Sequence, residues 1–411
     1  MSVTQQQDAG SAAAQGRPRP VLFLHIPRAA GSSFALTLRN VFGDNRVRQV
    51  DYVDERTQQV IDDLVRDELG GMSCLTGYLP MHLFDASLER FDPFTVLRDP
   101  VARVLSLYRF VKQGGLSERE RLKLPEEFSL AEFLGSRQPE LYGQINNGMV
   151  RMLCGDVTLT DPDFQEYWEI ASAPNALASA LANLRRMEFG LSEEIGRTLA
   201  LMQVRWSIPY PLMEIRENVT KPDTAGEDVA DLHRIIASNA MDLALYERAK
   251  MLFRERIGVL RGAAGNIGVN PLAVFDPPIN QEVVVGDIPG RQGFHGFEPN
   301  GLAWLREDHA AEIRFISAGD LVRLRLHVYC MTDFYPVSDV ALTVNERPMR
   351  VAVSPAEERW FDLETEHFET VAGINRITIR APLFIPVRDL SPGTSDERSL
   401  GIALSGLVIG P

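Results

Sequence analysis

Two short segments of the chain carry the residue types that bind a multiply charged anion. The first is the loop HIPRAAGSS, His25 to Ser33, which lies between an apolar run and residues with helical spacing. A helix N-terminus presents N–H groups without intrahelical acceptors, together with a partial positive charge. Gly31 allows an anion to approach the backbone closely, and Arg28 adds a planar cation with several donors. The loop residues expected to contact the anion are Arg28, Ala29, Ala30, Gly31, Ser32 and Ser33.

The second segment is FTVLRDPVARVLSLYRF, Phe94 to Phe110. Asp99 followed by Pro100 predicts a helix start, because the carboxylate caps the helix and proline suits its first position. Arg98 then ends the preceding strand, and Ser106 lies off the apolar face of the helix. Ligands collect at the carboxyl ends of parallel strands, so we expect Arg98 and Ser106 to meet a second phosphate. Taken alone, an Arg-Asp-Pro helix start is more often part of a surface ion pair.

The elements around these segments alternate between strand and helix patterns. Short apolar runs predict buried strands at Val21 to Ile26, Met72 to Thr76 and Phe94 to Leu97. Helical spacing separates the strands, at Ser33 to Phe42 and Glu55 to Leu69. This order predicts an α/β domain with a parallel sheet. The mostly helical stretch from residue 129 to 257, whose longest run begins at Glu227, is expected to cover the back of that domain.

The last third of the chain has a different pattern. Apolar and polar residues alternate from Val322 to Cys330, and further short strands are expected at Ala341 to Val344, Arg350 to Val353, Arg376 to Ile379 and Leu400 to Ile409. This pattern predicts an all-β sandwich, which we expect to be of jelly-roll type. The predicted divisions are a disordered tail (1–19), the α/β domain (20–262), a linker (263–280) and the β-sandwich (281–411).

Composition restricts the class of partner. The formal net charge is −14, and only four of the 42 basic residues are lysine. The chain has no long basic stripe, which argues against a protein that binds along a nucleic acid or a polysulfated polymer.

No apolar run is long enough to span a membrane, and the N-terminal residues lack the apolar core of a signal peptide, so a cytoplasmic location is expected. The three cysteines are expected to be buried free thiols. The sequence leaves open whether the chain forms a homo-oligomer through the β-sandwich.

Together, the two segments resemble the 5′-phosphosulfate loop and the 3′-phosphate motif of sulfotransferases that use 3′-phosphoadenylyl sulfate (PAPS). The pattern is that of carbohydrate sulfotransferases of the heparan-sulfate-2-O and bacterial sulfotransferase family 2 type. Those proteins have a loop like HIPKTAGTSF and, roughly seventy residues later, a segment like FxxLRDPVERxxSxY. The resemblance covers about residues 20–260 and includes NGMVRMLCG from Asn147, ENVT from Glu217 and DLALYER from Asp242.

The resemblance implies a P-loop-like fold and transfer of a sulfuryl group from PAPS to a carbohydrate hydroxyl, without a metal and with PAP as product. It implies that the 5′-phosphosulfate contacts Arg28, Gly31, Ser32 and Ser33. It implies further that the 3′-phosphate contacts Arg98 and Ser106. Relatives usually have lysine where this chain has Arg28, and they often have Gly-His where this chain has Gly77-Tyr78.

The general base is the main open question. His82 is the first candidate, because a helix beginning near Pro80 would direct it toward the same cleft, and His25 in the loop is the second. Packing roles are the alternative for both histidines. Tyr78 is a poor base at its ordinary pKa of about 10 but is expected to contact the acceptor. Arg151 and Asn147 are expected to line the acceptor or donor cleft, although a buried ion pair explains Arg151 nearly as well.

Two other function classes compete with sulfuryl transfer. An ATP-dependent kinase would carry G-x-x-x-x-G-K-[ST], which the loop lacks. A non-catalytic PAP- or glycan-binding protein would retain the fold without the base, and Tyr78 favours this alternative. In the sandwich, the segment SDERSLGIAL resembles β-sandwiches appended to bacterial glycosyltransferases. Its aromatic residues are interpreted as core in preference to a sugar platform: Phe294, His295, Phe297, Trp304, Trp360 and Phe361.

Overall fold

The structure is a computed structural model. It describes residues 19–50, 57–66, 71–84, 87–113, 122–125, 127–209, 211–215, 228–263, 275–296, 298, 300–391, 394, 396 and 398–411. The predicted disordered tail, most of the predicted linker and the segment ENVT lie outside the described residues.

An α/β domain occupies the described residues up to 263. Its strands are β1 (Val21–Leu24), β2 (Val47–Val50), β3 (Cys74–Gly77), β4 (Asp92–Leu97) and β5 (Glu188–Leu191). Its helices are α1 (Gly31–Phe42), α2 (Thr57–Arg66), α3 (Pro100–Gln113), α4 (Leu130–Leu134), α5 (Pro139–Ile145), α6 (Gly148–Leu153), α7 (Gln165–Trp168), α8 (Ala176–Arg185), α9 (Ile195–Arg205), α10 (Val229–Ser238) and α11 (Ala240–Ala263).

Within the described residues, the five strands form one sheet in the order β2-β3-β1-β4-β5. Every neighbouring pair is parallel, which confirms the predicted parallel sheet. After β3 the chain crosses from one side of β1 to the other to form β4. The strand order therefore reverses beside β1, and the carboxyl ends of β1 and β4 border the crevice where such sheets bind ligands.

The central strand is buried on both faces, as its continuous apolar sequence predicts. Leu22 and Leu24 belong to a core cluster with residues of α6, α8 and α11. Val21 and Phe23 belong to a separate cluster with Phe34 of α1 and with residues of α9. The two clusters fix the end of β1, and therefore the start of the loop at His25, against helices on both sides of the sheet.

Three local predictions differ from the structure. The strands β2 and β5 were not predicted, since each has four residues and no long apolar run. The predicted helix from Glu227 is two helices, because Asn239 follows α10 and its side-chain amide donates to the carbonyls of Ile145 and Ile235 at 2.8 and 2.9 Å. The turn that carries His82 is a 3₁₀ helix, Met81–Phe84, and not the start of an α-helix.

The C-terminal part of the chain is an all-β domain. Its strands are β6 (Glu282–Val284), β7 (Ala303–Trp304), β8 (Ala311–Ala318), β9 (Leu321–Cys330), β10 (Ala341–Val344), β11 (Arg347–Pro348), β12 (Val351–Glu357), β13 (Trp360–Thr365), β14 (Phe368–Glu369), β15 (Ala372–Arg380), β16 (Ile385–Pro386), β17 (Ser399–Leu400) and β18 (Ile402–Gly410), with a short helix α12 (Val387–Leu390).

Two sheets of this domain enclose its core, in the orders β11-β10-β15-β8 and β12-β13-β9-β18-β6. Alternate residues of β9 are buried, as its period of two predicts. Phe294 and Trp304 are buried, which agrees with the interpretation of these aromatics as core. Trp360 and Phe361 are half-buried against core clusters, and His295 is half-buried. Phe297 lies outside the described residues. The three cysteines are free and buried, as expected. None of the described helices is both long and apolar enough to cross a membrane.

The β domain contacts the α/β domain at the end of α1. Gly43 follows α1 with a φ of 85°, and a Cβ at this position would lie 2.4 Å from the backbone oxygen of Asp287. Glycine is thus required here for two reasons, a left-handed backbone and a close approach of the other domain.

Substitution of Gly43 tests this contact. We expect Gly43→Ala to lower the free energy of unfolding by about 3 kcal/mol or more, through backbone strain and the collision with Asp287. The matched control is Gly301→Ala, because Gly301 has a φ of 88° and nothing lies within 4 Å of its Cβ position. The control should cost about 1 kcal/mol in urea unfolding. Equal losses for the two variants would contradict the proposed collision.

Candidate anion-binding site

The loop after β1 adopts the backbone shape of an anion-binding concavity. Arg28 and Ala30 have φ angles of 63° and 65°, and Ala29 between them does not share the positive sign. Alternation of this kind directs successive N–H groups toward one side of the chain. The helix α1 then begins at Gly31 with no side-chain cap and no acidic residue in its first turn. Its first N–H groups therefore face the loop without a competing carboxylate.

The loop has no room for a side chain at position 31. A Cβ on Gly31 would lie 1.7 Å from Cδ2 of His25. The His25 ring cannot move away easily, because it stacks on Phe23 with ring centres 5.8 Å apart and contacts Tyr78, whose ring centre is 4.6 Å away. These contacts support the packing role for His25, in which the ring shapes the loop.

Arg28 reaches across to the second segment. Its Nε donates to Oγ of Ser106 at 3.2 Å, and its guanidinium lies 4.5 Å from the ring centre of Phe110. Burial and, after it, repulsion by Arg98 lower the pKa of Arg28 to about 10, while Tyr78 opposes the shift. Arg28 nevertheless remains a cation at neutral pH. The structure therefore brings Arg28 and Ser106 into direct contact across 78 residues of sequence.

Arg98 directly follows β4 and contacts the loop. Its Nη1 donates to the backbone oxygen of Arg28 at 3.0 Å. Burial lowers the pKa of Arg98, whereas the carboxylates of Glu193 and Asp99 raise it. Two partly buried guanidinium groups are thus held close together, and their repulsion favours a ligand with negative charge.

The helix after Arg98 begins as predicted from the sequence. The Asp99 carboxylate accepts a hydrogen bond from the N–H of Ala102 at 2.9 Å. One turn later, Arg103 is fully buried and donates to the carbonyl of Gln144 at 2.6 Å, with Asp242 at 3.4 Å. Burial lowers the pKa of Arg103, and Asp242 opposes the shift. This pair anchors α3, which carries Ser106.

Glu193 and Tyr246 belong to the site but were not singled out from the sequence as site residues. Glu193 accepts hydrogen bonds from the N–H of Asp99 at 3.0 Å and from the hydroxyl of Tyr246 at 2.7 Å. Burial, followed by this hydrogen bond, raises the pKa of Tyr246. Glu193 follows β5, and recognition of that strand would have placed it at the same sheet edge as Arg98.

His82, the first candidate for the base, and Tyr78, the expected contact to the acceptor, both lie on the segment after β3. The side chain of Tyr78 is 39% exposed and contacts the ring of His25. His82 is partly buried, with its Nδ1 3.4 Å from Oγ1 of Thr160 in the helical part of the domain. The structure thus brings Tyr78 and His25 together at the loop, and it gives His82 a partner outside the loop.

Arg151 and Asn147 have partners within the protein. All three guanidinium nitrogens of Arg151 donate to backbone oxygens at 2.7 Å, those of Asn146, Leu159 and Tyr167. The amide oxygen of Asn147 accepts from the N–H groups of Met241 and Asp242 at 3.0 and 3.2 Å. These contacts favour a structural role for both residues over the expected contact with a substrate. For Arg151, the alternative expectation was a buried ion pair, and the structure shows hydrogen bonds to backbone oxygens in its place.

No group of three His, Cys, Asp or Glu side chains suited to a metal ion occurs among the residues that the structure describes.

No protein-family model matches the chain. The chain is 30% identical to human heparan-sulfate 6-O-sulfotransferase 1 over 183 residues, which are 41% of this chain and 44% of that protein. It is 28% identical to chicken (Gallus gallus) heparan-sulfate 6-O-sulfotransferase 2 over 282 residues, which are 59% of this chain and 68% of that protein. The chain thus spans less than half of the human relative and about two thirds of the chicken one.

Two solved structures share weaker similarity. Mouse sulfotransferase SULT7A1 complexed with PAP has a TM-score of 0.28 and 10% identity, over 56% of this chain and 66% of that chain. The CBM35 from Cellvibrio japonicus Abf62 has a TM-score of 0.19 and 14% identity, over 32% of this chain and 84% of that chain. At the level of sequence, the chain is therefore similar to carbohydrate sulfotransferases. Those relatives are named for 6-O transfer, and the 2-O type suggested by the motifs stays a prediction.

The fit at Gly31 gives a test with PAP as the probe. We expect Gly31→Ala to weaken PAP binding at least about tenfold by calorimetry, because the methyl group displaces His25 and distorts the loop. The control is Gly196→Ala, since Gly196 also lies in the first turn of a helix, α9, with nothing within 4 Å of its Cβ position. Wild-type affinity for Gly31→Ala would contradict the described loop shape.

Proposed function

We propose that the protein transfers a sulfuryl group from PAPS to a hydroxyl of a carbohydrate. The observation that carries the proposal is the pair Arg28 and Arg98, held together beside an uncapped helix start at the carboxyl ends of β1 and β4. Such an arrangement suits a ligand with two separate phosphate groups. The similarity to heparan-sulfate 6-O-sulfotransferases supports the same reaction class.

In this proposal PAPS is a substrate. The loop from Arg28 to Ser33 binds the 5′-phosphosulfate, and Arg98 with Ser106 binds the 3′-phosphate. The acceptor oxygen forms a bond to sulfur while the bond from sulfur to the phosphate oxygen breaks, and PAP leaves. Arg28 and the N–H groups of the loop stabilise the charge that accumulates on the leaving phosphate oxygen. The proton of the acceptor hydroxyl passes to a base.

His82 is the base that we propose. The packing of His25 between Phe23, Tyr78 and Gly31 gives that histidine a role in shaping the loop. His82 lies on the turn that follows β3, and β3 is the neighbour of β1. Tyr78, which precedes this turn and is well exposed, is the proposed contact to the acceptor.

For the acceptor we propose a neutral or lightly charged glycan. Residues between 154 and 179 line a cleft of about 530 Å³, and the carboxylates of Asp156, Glu166 and Glu169 face it together with hydroxyl and amide groups. Carboxylates accept hydrogen bonds from sugar hydroxyls and repel sulfate groups. The net charge of −14 acts in the same direction. Tight, salt-sensitive binding to heparin would contradict this choice.

Further features remain proposals of the same kind. We propose the P-loop-like assignment for the α/β domain and the jelly-roll type for the β domain, on the strand patterns described above. We propose a bacterial type of sulfotransferase on the motif resemblance, and a cytoplasmic location likewise stays a proposal. A homo-oligomer formed through the β domain also stays a proposal.

The direct test is transfer of label from [³⁵S]PAPS to a panel of neutral, lightly charged and sulfated glycans. We expect the wild-type protein to transfer the label. Arg98→Ala should lower the affinity for PAP about 10- to 100-fold, because it removes one or two hydrogen bonds to a charged group. The control is Arg197→Ala, which removes an exposed pair with Glu194. PAP binding without transfer to any acceptor would indicate the non-catalytic alternative, and preference for ATP with Mg²⁺ would indicate a kinase.

If His82 is the base and His25 shapes the loop, substitution of His82 should affect kcat and substitution of His25 should affect the KM for PAPS. His82→Asn should lower kcat by about 10²- to 10⁴-fold with little change in the KM for PAPS, because a base acts on the acceptor proton. His25→Asn should raise the KM for PAPS, because it removes a ring that shapes the loop. Steady-state kinetics at saturating acceptor measures both constants, and the opposite pattern would assign the base to His25.

A further inference from the structure

The helix α1 joins the anion loop to the β domain. Its N-terminus carries the loop, and its last turn ends at Phe42 and Gly43. Carbonyls in the last turn of a helix lack intrahelical donors and need partners elsewhere. The N–H of Gly290 donates to the carbonyl of Val41 at 3.1 Å, and the N–H of Arg291 donates to that of Asn40 at 3.0 Å. The β domain therefore supplies the C-terminal cap of α1.

Arg291 strengthens this cap with a buried charge. Its side chain is 1% exposed and pairs with Asp44, directly after α1. Its Nη1 also donates to the carbonyls of Val285 and Ile288 at 3.2 and 3.3 Å, and to that of Gly286. A cation at a helix C-terminus is favourable for the helix dipole. Asp44 has a second partner in Arg39 of α1, at 2.9 Å.

Neighbouring contacts hold the same segment of the β domain from two sides. The N–H of Asn45 donates to the Asp287 carboxylate at 3.2 Å. Gln292 accepts from the N–H of Met213 at 3.0 Å and donates to the carbonyl of Pro211 at 3.1 Å. The segment from residue 285 to 292, the capping segment, is thus bonded both to the end of α1 and to the chain after α9.

The helix can transmit the position of its end to the loop. It has 12 residues, a length of about 18 Å. Its inner face packs against the sheet through Phe34, Leu38 and Val41, so the helix moves as one body. A tilt at its C-terminal end therefore changes the direction of the N–H groups at Gly31.

We propose that Arg291 is a positioning residue for the anion loop and acts through α1, so that docking of the β domain and binding of the nucleotide stabilise each other. The proposal rests on the proposed function in one respect, that the nucleotide is PAP. Coupling is reciprocal: docking of the capping segment raises the affinity for PAP by the same factor by which bound PAP favours docking.

The test compares two buried arginines of the β domain. Arg291→Met removes the cation at α1. The matched control is Arg306→Met, because Arg306 is 8% exposed and pairs with Asp308 of its own domain at 2.9 Å. We expect Arg291→Met to raise the Kd for PAP about tenfold, which is a typical coupling between two sites. Arg306→Met should keep the wild-type Kd, even where both variants lower the melting temperature. Arg291→Lys, which retains the charge, should restore part of the affinity.

Hydrogen exchange adds a readout that stability alone does not change. In the protein without nucleotide, amides of residues 38–43 should exchange faster in Arg291→Met than in Arg306→Met. In the wild type, saturation with PAP should slow exchange in the capping segment. Equal exchange and equal Kd in the two variants would overturn the proposal, as would a capping segment that does not respond to bound PAP.

Two further outcomes are distinguishable. If Arg291→Met does not fold, Asp44→Asn removes the same ion pair from the other side and takes its place in both measurements. If the wild-type protein does not bind PAP, the proposed function fails, and exchange at residues 38–43 in the nucleotide-free variants still decides whether Arg291 positions α1.

Discussion

The site depends on one unfavourable interaction, the repulsion between Arg28 and Arg98. Both guanidinium groups are partly buried, and the charge of Arg98 lowers the pKa of Arg28. Local contacts offset part of this cost, namely the bond from Arg98 to the carbonyl of Arg28 and the bond from Arg28 to Ser106. The remaining repulsion is what an anion relieves on binding.

The helix α11 holds the surroundings of this pair in place from behind. Asp242 accepts from the N–H groups of Met149 and Val150 at 3.0 and 2.8 Å, and it pairs with the buried Arg103 of α3. Tyr246, one turn later on the same face of α11, holds Glu193 and through it the start of α3. Two side chains of one helix therefore fix the positions of both Ser106 and Arg98. This explains why DLALYER, which offers no obvious ligand contact, belongs to the motif pattern.

The sequence was sufficient to predict those parts of the site that depend on local order. A buried strand followed by a polar loop and a helix start identifies Arg28 and Gly31, and the same order identifies Arg98 and Asp99. The short strands β2 and β5 lack such a signal, so Glu193 after β5 was missed. The break at Asn239 was missed because it depends on carbonyls of another segment, Ile145 among them. The buried partners of Arg151 are likewise long-range, and no pattern within its own helix reveals them.

Position 28 is an arginine, whereas the loop that it resembles, HIPKTAGTSF, has a lysine. The arginine links the anion loop to the segment that contains Arg98 and Ser106. A lysine is a compact point charge on a flexible stem, whereas a guanidinium has donors in a fixed plane. Here Nε of Arg28 binds Ser106 while the plane lies against Phe110, so the remaining donors have a fixed direction. Ser106 and Phe110 both belong to α3, the helix that begins beside Arg98. The arginine thus ties the first anion loop to the second segment and gives the two halves of the site a fixed spacing.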